Sequence, residues 1–173
     1  DANVTMTVAQ HEGFTTITAT GNETVTLSDS GTVSGEAAVE SYVLASGGST
    51  FTLGSGDQNV DATAGSGDTI DVQGLTATGI IETVSGDTVE LSAGANISDV
   101  DAEGSGAGSA FNADSLTLSG DADVTMTVAQ HEGFSSITAA GSSDQITLSD
   151  AGTVSGDAAV ESYVLASGGS TFT

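Results

Sequence analysis

Gly65-Ser66-Gly67-Asp68-Thr69-Ile70-Asp71 sets the rhythm of the chain: a glycine turn, an acidic residue, then a short strand. Before it, Gly54-Ser55-Gly56-Asp57 leads into Val60-Asp61, and after it Gly86-Asp87 leads into Thr88-Val89-Glu90-Leu91. Within each strand apolar residues alternate with Thr, Ser or Asp, which in an extended chain puts the apolar ones on one face. Strands at 25–27, 51–53, 70–72, 89–91, 116–118 and 146–148 recur at a spacing that suits one coil of a parallel β-solenoid. The reading is all-β, with about five coils per repeat stacked about 4.8 Å apart. The alternative is a row of tandem β-sandwich domains, which favours longer strands, core Trp and loop Pro. Trp and Pro are absent and aromatics make up 4% of the chain.

A long internal copy surrounds this stretch. Forty-two of the 52 residues in 1–52 recur in 121–173, with one residue inserted near Ser142-Ser143-Asp144. Residues 1–120 form a first unit and 121–173 the start of a second, and the chain is expected to be part of a longer repetitive protein. No linker composition separates the units, so one continuous body is expected. Gly104-Ser105-Gly106-Ala107-Gly108 is its most flexible run.

The net charge is -24, with no Lys or Arg to pair with any carboxylate. Such a chain repels itself and draws soluble cations. It is poorly suited to nucleic acid or an anionic membrane, whose phosphates call for basic side chains. Acidity with few aromatics is also a signature of disorder, but 37% of residues are hydrophobic and they alternate as strands do. Cys is absent, which excludes disulfides and thiol chemistry. No apolar run reaches the length of a membrane span, and export is expected to be encoded outside this stretch.

Locally, 4–8 reads as a strand, Ala9-Gln10-His11-Glu12-Gly13 as a turn, Phe14 as returning to the core, and 17–19 as a further strand. Ala and Glu at 35–41 suit one helical turn, although Tyr42-Val43-Leu44 restores β character at once.

The segments 54–61 and 65–71 resemble the RTX (repeats-in-toxin) family, whose Gly-Gly-x-Gly-x-Asp turns bind calcium between coils of a β-roll. Here Gly56-Asp57 and Gly67-Asp68 adjoin, where the family motif has a residue between. Thr-Met-Thr-Val-Ala-Gln-His-Glu-Gly-Phe, Thr-Leu-Ser-Asp-x-Gly-Thr-Val-Ser-Gly and Glu-Ser-Tyr-Val-Leu-Ala together resemble the β-strand repeats of very large secreted bacterial surface proteins. The resemblances imply calcium as the cofactor, a place outside the cell or on its surface, and a role in adhesion, matrix or coating. Partners are then other copies of the chain, joined end to end or side by side.

The candidate calcium ligands are Asp57, Asp61, Asp68, Asp71 and Asp87, since a hard cation wants many oxygens and glycine turns let carboxylates and carbonyls approach together. His11 and His131 read as surface turn residues, with a metal site beside Glu12 or Glu132 as the sharper alternative. Catalysis is not expected, because the two repeated histidines are the only bases that titrate near neutrality. Two other functions fit less closely. One is a carbohydrate-binding or carbohydrate-processing β-helix, for which Tyr42, Tyr163 and five Phe give little stacking surface. The other is a haloadapted acidic surface-layer protein.

Overall fold

The computed structural model describes residues 2–113 and 115–173. The chain winds into a parallel β-solenoid of about 8 turns. One sheet stacks Asn3–Met6, Thr24–Leu27, Ser41–Val43, Asn59–Asp61, Ile80–Glu82 and Asp101–Ala102 in that order. A second stacks Thr32–Ser34, Thr50–Thr52, Thr69–Gln73, Thr88–Ser92, Ser115–Ser119 and Ser136–Ala139. The second copy then opens two shorter sheets, Asp123–Met126, Gln145–Leu148 and Ser162–Val164 in one, Thr153–Val154 and Thr171–Phe172 in the other. Every pairing between these strands is parallel, which a sandwich of antiparallel hairpins does not give.

The alternation in sequence becomes inward and outward columns. Val25 stands opposite Tyr42, Tyr42 opposite Val60 and Val60 opposite Ile81. Val33, Phe51, Ile70, Val89, Leu116 and Ile137 form the matching column in the second sheet. All ten side chains are buried, and burying each fully contributes about 1.5–3 kcal/mol. The second sheet runs without a break across residue 120, as expected of one body.

Each large sheet holds six strands, one more than the expected coil count. A count that passes from Val25 to Phe51 changes sheets, because Val25 pairs with Tyr42 and Phe51 pairs with Val33. The count changes sheets again from Leu116 to Ile146, since Leu116 pairs with Ile137 and Ile146 with Val124, and the two changes together hide one coil.

The strand expected over 4–8 ends at Met6, and a short helix, α1 (Val8–Glu12), replaces the expected turn. Thr7 Oγ1 accepts from Gln10 N at 3.1 Å and Gln10 Oε1 accepts from Thr7 N at 2.9 Å, a reciprocal cap that two residues of Thr-x-x-Gln suffice to make. The second copy repeats it as α2 (Val128–Gly133), capped by Thr127 and Gln130. Residues 35–40 hold a turn at Ala37-Ala38 and no helix, and Ser41 already belongs to the strand Ser41–Val43.

The two copies share local structure and differ in what covers them. Val124 and Phe134 are buried, whereas Val4 is 45% and Phe14 56% exposed. Over the second copy lie residues 94–111: Ile97 N donates to Thr125 O, Gln130 Nε2 donates to Ile97 O, and Phe111 stacks on Phe134 with ring centroids 5.5 Å apart. Phe14 therefore does not return to the core, and the strand expected at 17–19 forms only in the second copy, as Ser136–Ala139.

Candidate functional site

The five candidate aspartates go to three kinds of place. Asp57 sits exposed in a turn and accepts from Ser55 Oγ at 2.7 Å. Asp61 faces outward on the first sheet and accepts from Thr63 N at 2.9 Å and Thr63 Oγ1 at 2.6 Å. Asp71 faces outward on the second sheet and accepts from Gln73 N at 2.8 Å. Asp68 and Asp87 turn inward, 1% and 0% exposed. Side-chain parity carries this signal in the sequence: Asp68 shares a face with Ile70 and Val72, and Asp87 with Val89 and Leu91.

The inward pair caps backbone. Asp68 Oδ1 accepts from Ser49 N at 2.5 Å, Asp87 Oδ1 accepts from Asp68 N at 2.9 Å, and Asp87 Oδ2 accepts from Val84 N at 2.9 Å. Asp144 serves similarly in the second copy, accepting from Ala122 N at 2.8 Å. The Ser49–Asp68–Asp87 corner leaves two oxygens with no partner, Asp68 Oδ2 and Ser49 Oγ. Calcium wants six to eight, so this corner does not fit it. Among the described residues no three His, Asp or Glu side chains converge as a metal shell.

Outside, register builds columns of carboxylates that spacing along the chain conceals. Asp61 stands opposite Glu82, and Glu103 follows Ala102, which stands opposite Ile81, so three acids occupy successive rungs. Asp101 lies beside them opposite Ile80. Partial burial, then Asp61, Glu103 and Asp101, push the Glu82 carboxyl above its ordinary pKa. On the second sheet Asp71 stands opposite Glu90, which accepts from Ser119 Oγ. Thr32, Thr50, Thr69, Thr88, Ser115 and Ser136 form a hydroxyl row alongside.

No protein-family model, curated protein or solved structure matches the chain. No helix is long and apolar enough to cross a membrane.

The histidines are buried, contrary to the surface turn expected of them. His11 Nε2 lies 3.1 Å from the Tyr42 hydroxyl, and Nδ1 lies 3.0 Å from Glu12 Oε1. Glu12 Oε1 only accepts, so Nδ1 donates to it, and a neutral ring then takes the Tyr42 proton on Nε2 while Tyr42 OH accepts from Glu36 N at 2.9 Å. Glu12 Oε1 also accepts from Ser34 N at 3.0 Å, which ties three successive coils together. His131, Glu132, Tyr163 and Ser155 repeat the relay. Burial raises the Tyr42 pKa to about 12, so the phenol stays protonated. Tyr42→Phe strands His11 Nε2 and the Glu36 N–H, and should lower stability by about 1–3 kcal/mol. Urea denaturation checks this; an unchanged midpoint would show that the relay adds nothing.

Proposed function

We propose that the chain is a structural segment of an extracellular bacterial filament, matrix fibre or giant adhesin, a rod joined to other copies by calcium. The observation that carries this reading is the column Asp61, Glu82, Glu103 with Asp101 beside it, on the flat face of a stack that has no Lys or Arg. Like charges one rung apart repel, and a divalent ion relieves that repulsion. One face offers too few converging carboxylates to fill a calcium shell, and a second face brought against it supplies more. Calcium in this reading lies between rods, and monovalent salt only screens them.

Light scattering of the 173-residue protein at low salt tests the proposal. Addition of calcium should raise scattering, chelator should reverse the rise, and Glu82→Gln with Glu103→Gln should weaken it. No response to calcium would refute the bridging. A haloadapted role is the second reading, favoured by a charge of -24 without one base. It requires sodium at high concentration to do what calcium does.

A further inference from the structure

We propose that Asn22 is the acceptor of an N-linked glycan, in the exposed bend that leads into the strand Thr24–Leu27. The chain has five asparagines, and three of them are followed two residues on by a hydroxyl: Asn3-Val4-Thr5, Asn22-Glu23-Thr24 and Asn96-Ile97-Ser98. That spacing is what transfer of a sugar to an asparagine amide requires. The motif is short and a chain rich in Ser and Thr produces it by chance, so the fold has to choose among the three.

The fold sets two of them aside. Asn3-Val4-Thr5 is extended within Asn3–Met6, in register with Thr24, Val25 and Thr26. In a strand, side chains two residues apart stand roughly 6.6 Å from each other, which keeps the hydroxyl away from the amide. Asn96-Ile97-Ser98 is bent, with Asn96 Oδ1 accepting from Ser98 N at 3.0 Å and from Ser98 Oγ at 2.8 Å. Its backbone is locked between coils: Asn96 N donates to Leu75 O, Asn96 O accepts from Ala77 N, and Ile97 N donates to Thr125 O. Asn96 is half-buried, and a transferase could reach it only by opening the pairing on both sides.

Asn22 meets neither obstacle. Thr20, Gly21 and Asn22 are exposed in the bend, which the Glu23 carboxylate fastens by accepting from Gly21 N at 2.9 Å. A bend lets an asparagine side chain approach groups two residues on. Thr24 opens the strand on its outer face, opposite Asn3 and Ser41. The second copy keeps the bend and its exposure at Ser142 and Ser143, although the strand before it, Ser136–Ala139, is paired. A group added here therefore stands clear of the core and of the ladders. Ser142-Ser143 has no asparagine, which limits the modification to one of the two copies.

The step balances without an oxidant or reductant. The donor is an oligosaccharide joined through C1 to a lipid pyrophosphate. Asn22 Nδ2 attacks C1, the C1–O bond breaks with its electron pair leaving on the pyrophosphate, and one amide proton passes to the transferase. The proposal rests on the extracellular reading, since exported chains are the ones that meet such a donor.

The folded 173-residue protein is incubated with an oligosaccharyltransferase that requires only the Asn-x-Ser/Thr spacing, together with its lipid-linked donor, and chymotryptic peptides are mapped by mass spectrometry. The peptide containing Asn22 should carry the glycan, and those containing Asn3 and Asn96 should not. Asn22→Gln and Thr24→Val should each abolish the gain in mass. Thr24→Val keeps a β-branched side chain on the outer face, so its effect reports on the hydroxyl, and an unchanged circular dichroism spectrum checks that the fold is kept. A wild type left unmodified overturns the proposal, and so does a glycan on Asn96 of the folded protein or one that survives Thr24→Val. Calcium-dependent scattering is measured on the unmodified protein, so bridging and acceptor activity fail separately.

Discussion

Phe51→Ala should lower the free energy of unfolding by about 3–5 kcal/mol. Phe51 is 0% exposed and fills the column between Val33 on one rung and Ile70 on the next. Its ring centroid lies 4.7 Å from that of Tyr42, so it joins the inner face of one sheet to the other across the core. The space left behind cannot close. Thr50 and Thr52 are held in register on both sides, opposite Thr32 and Ser34 and opposite Thr69 and Asp71, and collapse would break those ladders. The counterpart change Phe172→Ala removes the same ring where it is 47% exposed, and should cost about 1 kcal/mol or less. Urea denaturation of the two variants checks the contrast. Equal losses would mean that the core is not organised by the columns described.

The columns were legible in the sequence, because alternation fixes which side chains share a face and glycine turns fix where strands end. Ile70 and Val72 inward, Asp71 outward, follow from parity alone. What parity does not give is register between coils. Asp61 and Glu82 are 21 residues apart, and nothing local says that they stand opposite each other. The outer acid column therefore went unseen, while the Gly-Asp turns, conspicuous as motifs, supplied candidates that the fold distributes among a turn, two outer faces and one corner. Two further signals were present and outweighed. Thr7 and Gln10 carried the helix cap inside an apolar-alternating stretch that also fits a strand. His11 sits on that helix, and its burial depends on Tyr42, 31 residues away, arriving on a later coil.

Gly79→Ala should be as damaging as the loss of a core side chain, at about 3 kcal/mol or more, for a reason unrelated to flexibility. A Cβ at Gly79 would stand 2.0 Å from Gln58 O and 2.6 Å from Gln58 C. Those are backbone atoms of the neighbouring coil, and that coil is fixed: Ile80 N donates to Asn59 Oδ1 at 2.8 Å, and Val60 stands opposite Ile81. The same closeness recurs where Gly54 meets Gly35 O and where Gly56 meets Thr76 O, each at 2.0 Å. None of these three glycines has a positive φ, so other residues could adopt their backbone conformation but not fit in the space. Gly106 is the opposite case, with φ +110 and no atom within 4 Å of its added Cβ, so Gly106→Ala meets only backbone strain of about 1–2 kcal/mol. Thermal unfolding should rank the wild type first, Gly106→Ala next and Gly79→Ala last. The reverse order of the two variants would mean that the coils do not approach closely at these corners, and the carboxylate columns, which depend on the same spacing, would lose their basis.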